Sequence, residues 1–356
     1  MNILVDISHP AHVHLLKHAI RLWQQHGHKV LVTVKEIESA RQLLKSEQIE
    51  FIAIGGKKRD SIAGKVITQL RYNFLLWKLA RKHHIDIGIG SSVTLAYVSK
   101  FCKMKSIFLD DDDDKVEPLI VKYVHPFCDT ILSPKALINN RLAKHNIFYK
   151  GTHELAYLHP NRFSPNPGVL HDIGLKEGEP FFVMRFNVFK AHHDGEVYGL
   201  SLEQKLKLAQ TLEPHGKVLI TTEREIEPEL QHYRMQVSPE KIHDLLYYAL
   251  LFVGDSQTMT SEAAILGTPA FRCNTLVGEL SGIEDLANNY ALAYGFLPTQ
   301  FDDMLLKINE LLEQKDFKQA WQNKRAQFLA EKIDVTAFLF DFVENYPAKN
   351  NITPNL

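Results

Sequence analysis

Residues 254–269 read Gly-Asp-Ser-Gln-Thr-Met-Thr-Ser-Glu-Ala-Ala-Ile-Leu-Gly-Thr-Pro and contain the clearest local pattern in the chain. The short apolar run 249–253 comes before them and is typical of a buried strand. Apolar residues then recur at helical spacing from Thr258 onward, and Gly267 and Pro269 follow in the order that ends a helix. The stretch therefore predicts a strand, a polar turn and a helix.

The polar turn of this stretch is suited to binding a phosphate. Backbone N–H groups at the start of a helix have no partner within the helix and carry a partial positive charge, so anions bind there. Ser256, Gln257 and Thr258 surround this predicted helix end, and Glu262 lies one turn further along. A carboxylate is a poor phosphate ligand but a good acceptor for a pair of sugar hydroxyls. Because an α/β protein of any function can contain such a turn, the turn by itself only suggests nucleotide binding.

The same stretch resembles a known motif in the residues Asp255-Ser256, Glu262-Ala263-Ala264 and Leu266-Gly267-Thr268-Pro269. The motif belongs to the C-terminal domain of GT-B glycosyltransferases, and the related non-hydrolysing UDP-N-acetylglucosamine 2-epimerases share it. The resemblance implies that Ser256 and its turn hold the diphosphate and that Glu262 holds the ribose hydroxyls. The epimerases have two glycines after the serine, whereas this chain has Gln257 and Thr258, which make the loop bulkier.

The length and composition of the chain narrow its class. A chain of 356 residues, 45% of them hydrophobic, is long enough for two globular domains. The net charge of −1 gives no indication of nucleic-acid binding. Cys102, Cys128 and Cys273 have neither metal-ligand spacing nor a paired pattern, which is typical of a reducing compartment. The sequence shows no secretory leader and no apolar run long enough to cross a membrane, so we expect a cytoplasmic protein.

The N-terminal residues predict the start of a doubly wound sheet. Residues 2–7 and 29–34 are apolar strands, and residues 13–24 between them have helical spacing. The first turn lacks a G-x-G-x-x-G sequence, so no dinucleotide cofactor is expected. His9, His12 and His14 have no cysteine or carboxylate beside them, and we therefore predict no metal site there.

His12 is the first candidate catalytic residue. His12-Val13 falls where the lipid-intermediate N-acetylglucosaminyltransferase of peptidoglycan synthesis carries a Gly-His-Val loop. That resemblance implies that His12 lies at the reaction centre, with His9 as a substrate-binding neighbour. The alternative is that the histidine caps the first helix.

Five consecutive aspartates follow the strand predicted at residues 106–109. Adjacent carboxylates repel one another, so some of residues 110–114 must be solvated. The first two, Asp110 and Asp111, lie at the carboxyl end of the strand and are candidate general bases. The alternative is a solvated loop. GT-B enzymes generally need no metal for their chemistry, so the resemblance implies no metal here; the alternative is that the aspartate run binds Mg²⁺.

Residues 57–84 contain eight Lys or Arg residues and one acid, Asp60. Their apolar residues recur at helical spacing and form a stripe, namely Ile62, Val66, Leu70, Phe74 and Trp77. A basic amphipathic helix can lie on an anionic membrane. The alternative, which we favour because the sheet needs a cover, is that the stripe packs into its own domain.

The second half of the chain opens with a strand at residues 180–186 that contains Arg185. A loop follows that includes Lys190, His192 and His193. Arg185 and Lys190 are candidates for neutralising a diphosphate, and His192 or His193 for proton transfer. The alternative is a solvated loop with a surface histidine pair.

Residues 5–14, 150–158 and the stretch 254–269 together resemble the family named domain of unknown function 354, and the resemblance covers about residues 1–340. It implies an α/β fold of GT-B type, with two doubly wound Rossmann-like domains facing across a cleft. The predicted parts are an N-terminal acceptor-side domain, a linker, a C-terminal nucleotide-sugar domain, a helix that crosses back to the first domain, and a tail, at residues 1–150, 151–168, 169–333, 334–346 and 347–356.

Three functions are compatible with this family resemblance. The first is a glycosyltransferase that transfers sugar from a UDP sugar to a glycan or glycolipid acceptor in surface-polysaccharide or glycolipid assembly. It would be cytoplasmic, or peripheral at the inner face of the membrane through residues 57–84. The second is an epimerase, which needs carboxylates at two strand ends of the first domain; the first expected position falls near Ser91. The third is a non-catalytic nucleotide-sugar-binding relative, favoured if Gln257 and Thr258 obstruct the phosphates.

Overall fold

The computed structural model describes residues 1–55, 61–186, 198–222, 226–235 and 237–346. Of the residues singled out above, Lys57, Lys58, Arg59, Asp60, Lys190, His192 and His193 lie outside this part of the chain. The chain divides into two compact units. Unit 1 comprises Met1–Arg162 together with residues from Ile333 onward, and unit 2 comprises Phe163–Lys332.

Unit 1 contains a parallel sheet of seven described strands, namely β1 Asn2–Ile7, β2 Lys29–Val34, β3 Ile52–Ala53, β4 Ile87–Gly90, β5 Lys105–Leu109, β6 Thr130–Pro134 and β7 Asn146–Tyr149. The strand order is β3-β2-β1-β4-β5-β6-β7. The interior strand β1 is buried on both faces, with Ile3, Leu4 and Val5 fully inaccessible to solvent. Continuous apolar strands of this kind are typical of parallel sheets that carry helices on both sides.

The described helices of unit 1 that precede unit 2 are α1 Pro10–Gln25, α2 Glu38–Ser46, α3 Ile62–Lys82, α4 Val93–Ser99, α5 Pro118–Tyr123 and α6 Leu155–Leu158. The chain moves outward from β1 to β3 and then returns to β4 beside β1. Because parallel crossovers are right-handed, this reversal places α1 and α2 on one face of the sheet and α3 and α4 on the other. The contacts agree, since α1 packs against α2 and α3 packs against α4.

Unit 2 contains a second parallel sheet, of five described strands in the order β12-β11-β10-β8-β9. These strands are β8 Phe181–Arg185, β9 Lys217–Thr221, β10 Leu251–Gly254, β11 Ala270–Cys273 and β12 Ala293–Phe296. The helices that connect and cover them are α7 Gly168–Asp172, α8 Leu202–Leu212, α9 Ile242–Tyr248, α10 Gln257–Leu266, α11 Ser281–Asn288, α12 Phe301–Leu312 and α13 Phe317–Glu331.

The last described helix, α14 Val335–Glu344, belongs to unit 1 and packs against α1 and α6. The Thr336 hydroxyl donates a hydrogen bond to the Ala156 carbonyl at 2.6 Å. Just before the helix, the Ile333 N–H donates to the Lys150 carbonyl at 2.9 Å. The chain therefore leaves unit 1 after Arg162 and returns to complete it.

Helix α10 begins and ends where the sequence predicts. Ser256 caps its first turn, because its hydroxyl oxygen accepts the Met259 N–H at 3.4 Å. Gly267 ends it in the left-handed conformation, at a φ of 81°, which glycine adopts without strain. At the other end of the turn, a Cβ on Gly254 would overlap the Arg185 carbonyl, so only glycine fits between β10 and β8.

Of the described side chains in the predicted stripe of α3, only Trp77 packs against the buried cluster, so the packing that we favoured from the sequence is wrong for the others. Val66, Leu70 and Phe74 are 54%, 62% and 59% exposed. The sheet is instead covered by the opposite face of the helix, where Leu76 and Ala80 join a buried cluster. None of the described helices is long and apolar enough to cross a membrane.

Candidate functional site

The loops at the carboxyl edge of the unit 1 sheet carry a group of ionisable side chains. The carboxyl ends of parallel strands meet at one edge, which is where ligands bind in open α/β sheets. The segments that follow β1, β4, β5 and β7 contribute Ser8, His12 in the first turn of α1, Ser91, Asp111, His153 and Glu154. His12 interacts electrostatically with Asp111 and His153, so the structure groups a predicted histidine with a predicted aspartate.

The hydrogen bonds of His12 fix which of its ring nitrogens carries the proton. The Ser8 hydroxyl donates to the Ser91 carbonyl at 3.1 Å, and the same oxygen lies 3.2 Å from His12 Nδ1. A serine has one hydroxyl hydrogen, so His12 Nδ1 must donate to Ser8, which leaves a lone pair on Nε2. Burial and the neighbouring His9 lower the pKa of His12 to about 3. At neutral pH, His12 is therefore an uncharged imidazole with Nε2 free to accept a proton.

The helix cap predicted as the alternative role of His12 is made by His9. The Nδ1 atom of His9 accepts the Ala11 N–H at 3.3 Å at the start of α1. His9 and His12 lie close together, with their ring centroids 5.9 Å apart. The cap therefore leaves His12 available for another role.

Asp111 pairs with His153, a residue that the sequence did not single out. Their Oδ1 and Nδ1 atoms lie 3.1 Å apart, and the Asp111 side chain is 44% exposed. Burial opposes charge on both groups, but each partner outweighs it, so the pKa of Asp111 lies below and the pKa of His153 above the ordinary value. His153 Nε2 is buried and has no hydrogen-bond partner among the described residues.

Glu154 places a second carboxyl group beside this pair. Glu154 is 9% exposed. Burial, followed by the charge of Asp111, raises the pKa of Glu154 from 4.5 to about 7. At neutral pH this carboxyl group is therefore partly protonated, and it can both donate and accept a proton. The sequence placed His153 and Glu154 in the linker predicted at residues 151–168; a histidine and a glutamate just after a strand end were the signal of this role.

Asp110 has different partners from Asp111. Its carboxylate lies 2.7 Å from His125 Nε2 and 2.8 Å from Arg141 Nη1. Arg141, whose side chain is 1% exposed, also contacts Asp114 at 2.6 Å. The side chain of Asp110 thus fixes the loop around Arg141. Its catalytic role stays a prediction.

The rest of the aspartate run is also largely shielded. The Asn140 amide donates to Asp113 at 2.9 Å, and Asp113 is 1% exposed. Burial and the charges of Asp111 and Asp110 raise the pKa of Asp112 to about 7. The run thus avoids the predicted repulsion by pairing and protonation more than by solvation, and Asp111 is its most accessible carboxylate. Among the described residues, no group of three or more His, Cys, Asp or Glu side chains could hold a metal ion.

In unit 2 the structure brings Arg185 beside the turn at the start of α10. The Asp255 N–H donates to the Arg185 carbonyl at 3.1 Å, so the end of β8 lies against the end of β10. Arg185 Nη1 donates to the Thr221 hydroxyl at 3.1 Å. Ser256 is buried, Gln257 is half-buried and Thr258 is exposed. A guanidinium group and a helix N-terminus therefore lie at the same strand ends.

Glu262 is 5% exposed and pairs with His243, a residue of α9 that the sequence did not indicate. Glu262 Oε1 lies 3.0 Å from His243 Nε2. The pair fixes the orientation of the carboxylate one turn into α10. His243 precedes Glu262 by 19 positions on another helix, so no local pattern could have revealed it.

A cavity of about 910 Å³ lies next to this turn in unit 2. It is lined in part by Tyr198, Gln204, Lys205 and Phe301. The cavity shares Asp255 with the turn, but Ser256 and Glu262 do not line it. It therefore does not coincide with the predicted nucleotide site.

Solved structures with the same architecture include sugar-nucleotide enzymes. A UDP-GlcNAc 2-epimerase from Neisseria meningitidis, bound to UDP-GlcNAc, has a TM-score of 0.69 at 11% identity, covering 96% of this chain and 98% of that one. A glycosyltransferase from Rickettsia africae has a TM-score of 0.62 at 12% identity, covering 99% of each chain. At these identities the similarity shows the fold, which is α/β of GT-B type, as predicted.

The sequence itself matches known sequences over nearly its whole length. The uncharacterised protein MJ0665 of Methanocaldococcus jannaschii is 23% identical over 359 residues, which cover 97% of this chain and 98% of that protein. A family model described as protein of unknown function (DUF354) matches residues 1–346. The chain therefore belongs to the DUF354 family.

Proposed function

We propose that the protein is a glycosyltransferase that transfers a sugar from a UDP sugar to a hydroxyl group of a glycan or glycolipid acceptor. The observation that supports this most strongly is the turn in unit 2, where the N-terminus of α10 and its Ser256 cap follow directly on Asp255, whose N–H is bonded to the backbone of Arg185 at the end of β8. The similar structures include enzymes solved with UDP-GlcNAc or UDP.

The binding half of the reaction is assigned to unit 2. The first N–H groups of α10 and the positive charge of Arg185 would bind the diphosphate, because both favour anions. Glu262, held by His243, would accept hydrogen bonds from the ribose hydroxyls. Gln257 and Thr258 replace the glycines of the epimerases, so their side chains border the phosphates rather than leaving the backbone open.

The chemical half of the reaction is assigned to unit 1. The acceptor oxygen attacks the anomeric carbon, the bond from that carbon to the diphosphate oxygen breaks, and UDP leaves with the electron pair. The acceptor proton moves to His12 Nε2, which carries a lone pair at neutral pH. A base with a pKa of about 3 holds that proton only transiently, and Asp111 stabilises the imidazolium because its charge raises the pKa of His12.

A second candidate function is epimerisation at carbon 2 of the sugar, and Glu154 specifically favours it. Such an enzyme needs carboxyl groups at two strand ends, and the position near Ser91 offers none. The structure supplies Asp111 after β5 and Glu154 after β7. With a pKa raised by burial to about 7, Glu154 is suited to remove and return a proton near neutral pH.

The proposed setting is the cytoplasm, at the inner face of the membrane, in the assembly of surface polysaccharide or glycolipid. Contact with the membrane is assigned to residues 57–84. A lipid-linked acceptor would require the enzyme to work at this surface.

Nucleotide binding is tested by thermal shift with UDP and UDP-GlcNAc. A ligand at one hundred times its Kd stabilises the fold by roughly 2.7 kcal/mol. We expect Ser256→Ala and Glu262→Ala to weaken binding by about 1 to 3 kcal/mol each, because they leave ligand groups unpaired. Ser201→Ala is the matched control, since Ser201 caps α8 of the same unit in the same way. No shift with either nucleotide, or equal losses in the two serine variants, would overturn the assignment.

The two reactions are separated by supplying UDP-GlcNAc with no acceptor, in deuterium oxide. An epimerase produces a second UDP sugar that carries deuterium at carbon 2, whereas a transferase leaves carbon 2 unlabelled and releases UDP only when acceptor is added. In either case, we expect His12→Ala and Asp111→Asn to cut turnover while UDP binding persists. Loss of UDP binding in these unit 1 variants would contradict the division of roles.

A further inference from the structure

Helix α3 exposes four large apolar side chains along one side. Val66, Ile67, Leu70 and Phe74 are 54%, 53%, 62% and 59% exposed, and we call this surface the α3 face. Val66, Leu70 and Phe74 follow one another at intervals of four residues, so they form a row about 12 Å long on the helix surface. Contiguous apolar surface of this kind commonly marks an interaction site.

The α3 face is not needed to build unit 1. The opposite side of the helix supplies Tyr72, Leu76 and Ala80, which are 8%, 0% and 3% exposed. Leu76 and Ala80 pack in the cluster that covers the sheet. The fold therefore already has its apolar cover, and the exposed row is additional.

The apolar surface continues beyond α3. Trp77 Nε1 donates to the Phe101 carbonyl at 3.1 Å, and the Phe74 and Trp77 rings lie 5.9 Å apart. Phe101, which follows α4, is 76% exposed. A second exposed aromatic residue, Phe101, is therefore held next to Trp77 of α3 through its backbone.

The charge on helix α3 itself has a single sign. The helix from Ile62 to Lys82 contains no acidic residue, and its cations are all exposed, namely Lys65, Arg71, Lys78, Arg81 and Lys82. Arg71 and Lys78 lie on the same side of the helix as Ile67, at intervals of four and eleven residues. The Arg81 guanidinium lies 5.1 Å from the centre of the Trp77 ring. The cations therefore border the apolar row instead of lying behind it.

We propose that the α3 face docks on an anionic phospholipid bilayer. Val66, Ile67, Leu70 and Phe74 would enter the boundary between headgroups and acyl chains, and the bordering cations would contact lipid phosphates. A helix with cations and no acid is complementary to a uniformly anionic surface, whereas protein surfaces usually carry both signs. This inference rests on the membrane contact included in the proposed function, and it adds the face that makes the contact.

The test is flotation of the purified protein with vesicles of phosphatidylcholine, or of phosphatidylcholine with about one third phosphatidylglycerol. We expect binding to the anionic vesicles at low salt and release at about 1 M salt, where the screening length is about 3 Å. The double variant Leu70→Ser, Phe74→Ser should bind at least about tenfold more weakly. The variant Arg71→Gln, Lys78→Gln should also lose binding, and its loss should shrink as salt rises.

Leu306→Ser is the matched control for the apolar variant. Leu306 is 62% exposed, as Leu70 is, and lies on α12 of unit 2. Lys45→Gln is the control for charge, because α2 lies on the opposite side of the unit 1 sheet. Both controls should bind vesicles as the unchanged protein does. Equal losses in the controls, or no flotation at low salt, would overturn the proposal.

Two further measurements distinguish lipid binding by the α3 face from self-association and from the proposed function. Light scattering reports the mass in solution, and a dimer that the Leu70→Ser, Phe74→Ser variant converts to a monomer would assign the α3 face to a second copy of the chain instead of lipid. UDP binding by the same variant should be unchanged. Vesicle binding without UDP binding would overturn the proposed function alone, and UDP binding without vesicle binding would overturn this inference alone.

Discussion

The carboxyl edges of the two sheets are built from the same strand arrangement but carry different chemistry. In unit 1, His12, Asp111, His153 and Glu154 are ionisable side chains whose charges shift one another's pKa. In unit 2 the corresponding edge carries the N-terminus of α10 with its Ser256 cap and the permanent charge of Arg185. Parallel α/β sheets place loops at one edge, but the residues in those loops decide what the edge can do.

This difference indicates a division of work. A cluster of mutually shifted acids and bases is suited to moving protons, because small changes in charge redistribute them. A helix end with a guanidinium group keeps its charge across the physiological pH range and is suited to holding an anion. The predictions below test whether the two edges behave as differently as they are built.

The largest expected effect is in the charge network of unit 1. Arg141→Met should lower the free energy of unfolding by about 3 to 5 kcal/mol, because it leaves Asp110 and Asp114 as shielded carboxylates without their main cation. Lys207→Met is the matched control. Its ion pair with Asp302 has the same 2.8 Å distance, but the side chains are 57% and 80% exposed. Lys207→Met should lower the free energy of unfolding by about 1 kcal/mol or less. If urea unfolding gave similar losses of stability for Arg141→Met and Lys207→Met, burial would not be the reason that the Arg141 ion pairs matter.

The next largest effect concerns how the stability of the protein depends on pH through Glu154 in unit 1. The pKa of Glu154 is about 7 in the folded protein and 4.5 when unperturbed. Below pH 4.5 both states are protonated; between the two values the unfolded state alone releases its proton, so Glu154 lowers stability as pH rises. Glu154→Gln should therefore be more stable than the unchanged protein at pH 8, by on the order of 2 to 3 kcal/mol, with no such gain at pH 4.

The control is a variant of a glutamate whose pKa is shifted in the opposite direction. Burial raises the pKa of Glu227, but the hydrogen bond and charge of Lys205 and a backbone hydrogen bond together outweigh burial and lower that pKa overall. Glu227→Gln should therefore be less stable than the unchanged protein at pH 8, and this loss should fade as pH falls below the unperturbed value. A gain for Glu154→Gln that does not vary with pH would show that its cause is packing and not ionisation.

The smallest expected effect is the loss of stability when a helix cap in unit 2 is removed. Ser256→Ala should cost about 1 kcal/mol of stability, and Ser201→Ala should cost the same, because each hydroxyl caps one helix. The two variants should differ only in nucleotide affinity. A much larger loss of stability for Ser256→Ala, measured by urea unfolding, would mean that the turn is a structural element first and that its effect on binding is indirect.

The sequence predicted the features that local pattern determines. The bounds of α10 follow from a serine, a helical spacing and a Gly267-Thr268-Pro269 ending, all within a few residues of the positions they specify. The same is true of the strands at residues 2–7 and 29–34, which the structure contains as β1 and β2. Hydrophobic spacing and capping act over one or two turns, so they can be read from adjacent residues.

The features that the sequence missed depend on distant partners. The repulsion within the aspartate run was predicted, but Arg141 compensates Asp110 from 31 positions away. In the same way, His243 pairs with Glu262 from 19 positions away. For α3, spacing identified which residues share a face, but the helix has a second apolar face with Tyr72, Leu76 and Ala80. Only packing decides which of the two faces meets the sheet.

The return of the chain to unit 1 through α14 has a consequence for biosynthesis. During translation, α1 and α6 emerge before unit 2, and their partner α14 follows only after about 170 further residues. At ordinary elongation rates that interval lasts roughly 10 to 30 seconds. Throughout it, the apolar surface that α14 covers is exposed on the ribosome, while unit 2 can fold as an uninterrupted segment. The nascent chain can therefore complete its second unit before its first.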